Sequence, residues 1–245
     1  MSVTSAYPEY MRAEARRIVM AKREERARAL HVESATSSAV DEHRVREAIQ
    51  SSYHWTMNHT RTTNPHWKEE GMAGPEEPFP RDEYFKHLFD LFDFLPVIPL
   101  RKSRDMMASW AIMAYFTHQT MTVPGRMTIV QTLKEKKVKE LVGYAKQLYK
   151  SQPAFLKEAF PLARELDTFA ATEFEWANGS RILGIPAGID QLRLYHPWGY
   201  FLDEASFIPD AGACYDNSIS AVQKIVLNSS AGVSWYSGFC NDEVL

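Results

Sequence analysis

The spacing of apolar positions along the chain changes near residue 95. Before that point it is helical. The stretch "PEYMRAEARRIVMAKREERARALHV" (8–32) has no glycine and sets Met11, Ala15, Ile18, Val19 and Ala21 on one modest stripe, which predicts a long, exposed helix. A second helical stretch is predicted from about Asp41 to Met57. "NPHWKEEGMAGPEEPFPRDEYF" then gathers proline, glycine and acids into a loop ending at Asp82, a suitable N-cap for a helix from Glu83 to Phe94. From Leu95 onward, short apolar runs alternate with helical ones. "FLPVIPL" reads as a strand, "MASWAIMAYFTHQ" as a buried helix, "RMTIVQTL" as a strand and "KEKKVKELVGYAKQLYK" as an amphipathic helix. After a further helix, "TFAATEFEWANGSRILGIPAG" reads as a hairpin turning at Asn178-Gly179. "GYFLDEAS" and "KIVLNSSAG" end two more strands, separated by a short helix around Ala213 to Val222. This alternation predicts an α/β protein with a mostly parallel central sheet flanked by helices. Ligands of such sheets bind at the carboxyl ends of the strands.

With 245 residues the chain can bury a substantial core, as one large domain or two small ones. The pattern divides it into a helical N-terminal extension (1–60) and an α/β core (61–245). A net charge of -3 excludes a protein that coats nucleic acid over its whole surface. It leaves room for a local basic patch such as Arg12, Arg16, Arg17, Lys22, Arg23, Arg26 and Arg28 on the first helix, a set that equally suits a solvated face with i,i+4 pairs. Cys214 and Cys240 make neither a disulfide framework nor a metal-ligand pair, so a reducing, intracellular setting is expected. His54, His59 and His66 lack the spacing of a helical metal site. The N-terminus has no apolar signal region, and no run approaches the roughly 18 apolar residues of a membrane span.

Three strand ends carry candidate chemistry. In "IPLRKSRDMMASWAI" an apolar run gives way to a polar turn and resumes as a helix, and Ser109 follows Lys102 by seven residues, the span of a phosphate-binding loop. Lys102 stands where that loop has its first glycine, Met107 where it has its second, and Ala108 where it has its lysine. A lysine at the loop's start can still reach a phosphate as a point charge, because its stem is long and flexible. A plain strand-to-helix turn capped by Ser103 or Asp105 would have the same sequence. "GYFLDEAS" delivers Asp203 and Glu204 in tandem, suited to hold Mg²⁺ and to deprotonate an attacking water, although acids also favour the first turn of a following helix. "KIVLNSSAG" ends in Ser229 and Ser230, hydroxyls that can sense a γ-phosphate or simply form a turn.

Taken in order, "KSRDMMASW", "NGSRILGIPAG", "LRLYHPWGYFLDEASFIP" and "KIVLNSSAG" resemble the large terminase subunits, the DNA-packaging motors of tailed bacteriophages. The resemblance covers roughly residues 79 to 239. It implies a P-loop NTPase-like ATPase of the additional-strand, catalytic-glutamate class, with an extra strand between the phosphate-loop strand and the acid-pair strand. By the same resemblance Lys102 is the phosphate lysine, Ser109 and Asp203 hold Mg²⁺, Ser103 and Arg104 sit beside the phosphates of ATP, Glu204 is the catalytic base, and Ser229 and Ser230 form the coupling motif. Arg193, ten residues before Asp203, falls where some members place an arginine finger; a surface arginine is the other reading. "EEPFPRDEYF" resembles the adenine-holding segment, which nominates Phe79 or Tyr84 to stack on the base, unless they are core aromatics. The implied partners are double-stranded DNA, held through its phosphates without regard to sequence, together with a portal, a small terminase subunit and further copies in a ring. The implied setting is the cytoplasm of an infected bacterium, with no membrane contact. Full-length members continue into a lid and a nuclease domain, so this chain is expected to be an ATPase domain alone, natural or truncated, without nuclease activity. The alternative function is a nucleotide-binding or assembly module without significant turnover.

Overall fold

The computed structural model describes residues 42–103, 106–189, 191–232 and 234–241. The long basic helix expected over 8–32, and Arg104, lie outside the described residues.

The stretch expected as one helix from Asp41 to Met57 is two, α1 (Glu42–Ala48) and α2 (Ser52–His59). Ser51 separates them: its backbone is extended, and its hydroxyl accepts the His54 N–H at 3.0 Å, which starts α2 afresh. Trp55 anchors α2. It is fully buried against the His118 ring and donates its indole N–H to Gln152 at 3.2 Å. Val45, Ala48, Ile49, Trp55 and Met57 share one core with the helices that cover the sheet. The boundary placed near residue 60 therefore falls inside a single packed unit. β1 (Thr62–Thr63), just before the expected loop, and β2 (Glu76–Glu77), inside it, form a short antiparallel pair. α3 (Glu83–Phe94) begins after Asp82, which occupies the N-cap position without making a side-chain cap bond, and buries Phe85, Phe89 and Phe92. At its carboxyl end the buried Lys224 ammonium donates to the carbonyls of Phe92 and Leu95, where the helix dipole favours a cation.

The remaining elements are β3 (Val97–Arg101), α4 (Ala108–Met121), β4 (Met127–Thr132), α5 (Glu135–Ser151), α6 (Ala154–Ala159), β5 (Glu173–Glu175), β6 (Arg181–Pro186), β7 (Gly199–Asp203), α7 (Ala211–Ile219), β8 (Lys224–Ser229) and α8 (Trp235–Cys240). The sheet order is β3-β8-β7-β4-β6-β5. Five strands are parallel and β5 is antiparallel to β6. The expected hairpin joins β5 and β6: Gly179 takes φ +79°, and Asn178 Oδ1 accepts from both the N–H and the hydroxyl of Ser180.

Alternation along the strands sorts the core into two layers. Val130, Phe201 and Val226 face α4 and α5, whereas Ile129, Tyr200, Leu202, Ile225 and Leu227 face α7 and α8. Burial on both faces is why these strands read as nearly continuous apolar runs. Two glycines let helices approach closely. A Cβ on Gly199 would lie 2.6 Å from Phe116 of α4, and one on Gly184 would lie 2.3 Å from Val138 of α5. Among the described residues no helix is long and apolar enough to cross a membrane.

Candidate active site

β3 leads into the loop through Lys102, whose N–H donates to the Ser229 carbonyl at 3.0 Å and so continues the β3–β8 ladder by one bond. Lys102 is half-buried and Ser103 exposed. The turn closes without glycine because Met107 adopts the left-handed conformation, φ 48° and ψ 20°. An L-residue held there costs about 1–2 kcal/mol. The Met107 side chain, packed against the core, offsets part of that. α4 then starts, and its second residue is Ser109.

Ser109 meets the acid pair. Its hydroxyl lies 3.4 Å from Asp203 Oδ2 at the end of β7. Asn228, from the end of β8, donates to Asp203 Oδ1 at 2.6 Å and reaches Ser109 Oγ at 3.4 Å. Asn228 and Asp203 follow Val226 and Phe201 by two residues and so lie on the α4–α5 face of the sheet. Burial pushes the Asp203 carboxyl above the usual carboxylate range, against the pull of the Asn228 N–H and the Lys137 and Lys102 ammonium groups. The donor set fits Mg²⁺. A carboxylate and a hydroxyl 3.4 Å apart are hard oxygen donors close enough to share one ion. Asn228 Oδ1 is buried beside them without a hydrogen-bond partner among the described residues.

Glu204 leaves the sheet in the left-handed region, φ 59° and ψ 37°. Its half-buried carboxylate takes no hydrogen bond from the described residues. The hydroxyl pair ties this turn to the next strand. Ser206 donates its N–H to Ser229 Oγ at 3.1 Å and its hydroxyl to the Ser230 carbonyl at 3.2 Å. Since Lys102 bonds the same Ser229, the loop, the acid pair and the hydroxyl pair form one hydrogen-bonded unit.

Three nominated residues stand apart from it. Arg193, on a single 3-10 turn (Leu192–Leu194), is exposed and donates to Asn217 of α7 at 3.0 Å. Phe79 is buried, edge-on to Phe85 and Trp110, and has no open face for a base. Tyr84 is half-exposed, stacks on Phe85 and donates its hydroxyl to the Met106 carbonyl at 3.0 Å, beside the loop. Asn228 escaped the sequence reading, although a polar residue in the buried run "KIVLNSS" was a signal for it.

β8, which carries Asn228 and Ser229, lies between the loop strand β3 and the acid-pair strand β7, in the place expected for the extra strand. This is the fold of a phage large terminase. The HK97 bacteriophage large terminase matches with a TM-score of 0.57 at 13% identity, over 80% of this chain and 41% of that one. The large terminase ATPase domain of Thermus phage P74-26 aligns at 11% identity over 73% of this chain and 74% of that one, with TM-scores of 0.48 for an arginine-to-alanine mutant and 0.44 for a second crystal structure. This chain thus spans less than half of the HK97 terminase. No family model and no curated protein matches the sequence. A separate cavity of about 300 Å³, lined by Gly143, Lys146, Lys150 and Phe169, lies along the later turns of α5, away from the strand ends.

Proposed function

We propose that this chain is the ATPase module of a viral DNA-packaging motor, hydrolysing ATP to drive double-stranded DNA into a procapsid. The observation that carries the reading is the meeting of Ser109, at the start of α4, with Asp203 and Asn228, at the ends of β7 and β8, with Glu204 next in line. Mg²⁺, when bound with ATP, would supply positive charge that offsets the charge developing on the phosphates. Ser109 and Asp203 would hold it, and Lys102 would lie along the phosphates. Glu204, free of hydrogen bonds to the described residues, would accept the proton of a water attacking the γ-phosphorus as the bond to the ADP oxygen breaks, releasing ADP and phosphate. Ser229 and Ser230 would pass the loss of the γ-phosphate onward, since they bond both the loop and the turn after Glu204. Translocation would need a ring of copies on the DNA, with contacts mainly to phosphates and hence sensitive to salt. The portal and a small terminase subunit are the partners such a motor would engage.

The direct test is Glu204→Gln. We expect Mg-ATP to bind with little change and turnover to fall by roughly two to four orders of magnitude, the usual contribution of a general base. Steady-state hydrolysis beside equilibrium nucleotide binding reads both quantities. Turnover equal to the parent's would remove Glu204 from the mechanism.

A further inference from the structure

One wall of the site comes from neither the loop nor the acid-pair strand. Gln131 of β4 pairs with Leu202 of β7, so one residue further on Thr132 ends β4 as Asp203 ends β7. Thr132 is fully buried, and its hydroxyl has no hydrogen-bond partner among the described residues. An unsatisfied donor in such a place loses its hydration for nothing in return unless a ligand completes it. α5 starts three residues later and turns Lys137, Glu140 and Tyr144 along one face, at i, i+3 and i+7. These side chains are linked. Lys137 Nζ bonds Glu140 Oε1 at 2.8 Å, and the Tyr144 hydroxyl donates to the same oxygen at 2.5 Å. Tyr144 in turn lies flat on Trp110, with ring centroids 3.9 Å apart and planes 14° apart. Trp110 is the residue after Ser109.

We propose that Lys137 is a second phosphate-binding cation of this site, positioned by Glu140 and Tyr144, and that it supplies the charge the glycine-free loop lacks at Ala108. The inference rests on the ATP-site reading above and extends it. Three observations support it. Lys137 stands in the first turn of α5, at the end of the sheet where Thr132 and Asp203 close adjacent strands. Tyr144, which shares Glu140 with Lys137, packs on Trp110 beside Ser109. Among the described residues Lys137 pairs with Glu140, which is nearly half exposed, and a solvent-screened pair of this kind yields readily to a multiply charged phosphate. Tyr144 and Trp110 fix the distance between α5 and the start of α4, so Lys137 keeps its place relative to Ser109.

The test measures Mg-ATP affinity by calorimetry for the parent, Lys137→Met, Lys137→Arg and Asp203→Asn, with thermal unfolding of each as the folding control. We expect Lys137→Met to keep its melting temperature and to bind Mg-ATP about 10- to 100-fold more weakly, the loss of one charged hydrogen-bonding partner. Lys137→Arg should recover most of that affinity. Asp203→Asn should lose the Mg²⁺ dependence of binding. Parent-like affinity in a folded Lys137→Met, with Asp203→Asn impaired, would overturn this inference and leave the ATP site standing. Absence of Mg-ATP binding by the parent itself would overturn the site reading, and this inference with it.

Discussion

Met107 and Glu204 are the two non-glycine residues with positive φ among the described residues, and one closes the turn into α4 while the other follows Asp203. Strain placed at both turns of one site, and at no other described non-glycine position, is the signature of conformations held for function. Asp203 adds a second kind of strain. Its carboxyl is raised chiefly by burial, so the folded chain binds that proton more tightly than the unfolded chain. The sign follows: stability from this group is greatest below the unfolded pKa and falls as pH rises through the window up to the raised folded value. Above that window Asp203 therefore destabilises the fold. Asp203→Asn should raise the melting temperature at pH 7 by about 2–4 °C, which for a chain of this size corresponds to roughly 1 kcal/mol. The gap between variant and parent should shrink as pH falls through the window, and calorimetry of both from pH 5 to 8 reads it. A lower melting point for the variant at neutral pH would mean that Asn228 and the lysines outweigh burial. Ser109, Asp203 and Glu204 were legible in the sequence because strand-end chemistry needs those residue types in that order. Lys137 was not, because in "KEKKVKE" every charge looks like a solvated helix face.

At the scale of elements, helix docking decides where such residues end up. α5 lies on the sheet at Gly184, where an added methyl would stand 2.3 Å from Val138 Cγ1 and 3.1 Å from Val142 Cγ2. Both valines are buried and branched at Cβ, so neither can swing aside cheaply. Gly184→Ala should cost about 1–3 kcal/mol by overpacking. Val138→Ala in the same chain should restore part of it, because the two changes share one space. Thermal melts of the two single variants and the double variant form the cycle; strict additivity would show that α5 does not touch the sheet there. Most element boundaries could be read from periodicity, since a buried parallel strand, an amphipathic helix and an Asn-Gly hairpin each leave a distinct pattern. Two features could not. The split between α1 and α2 depends on one serine hydroxyl capping a helix inside a continuous helical pattern. The docking of α1 and α2 onto the core depends on Trp55 finding Gln152, 97 residues away.

At the scale of the whole molecule, no arginine among the described residues stands with Ser109, Asp203, Asn228 and Glu204. Arg193 is exposed and bonded to Asn217 of α7, which in turn donates to the Ile189 carbonyl. An arginine fixed there has to serve a site outside its own chain if it serves catalysis at all. Exposed apolar side chains stand at the same surface, Leu194 at 75% and Ile219 at 51% exposure, as a subunit contact would require. In a head-to-tail ring each copy offers one face to the next, so Arg193 of one subunit and Glu204 of its neighbour would share an ATP. This predicts complementation. Arg193→Ala and Glu204→Gln should each be nearly inactive alone. Mixed in equal amounts they should regain about a quarter of parental turnover, because in a randomly mixed ring one junction in four pairs an intact glutamate with an intact arginine. Recovery should rise with protein concentration as rings form. If the mixture stays as inactive as its components at concentrations where the parent turns over, Arg193 does not act across a subunit boundary, and its bond to Asn217 is its whole role.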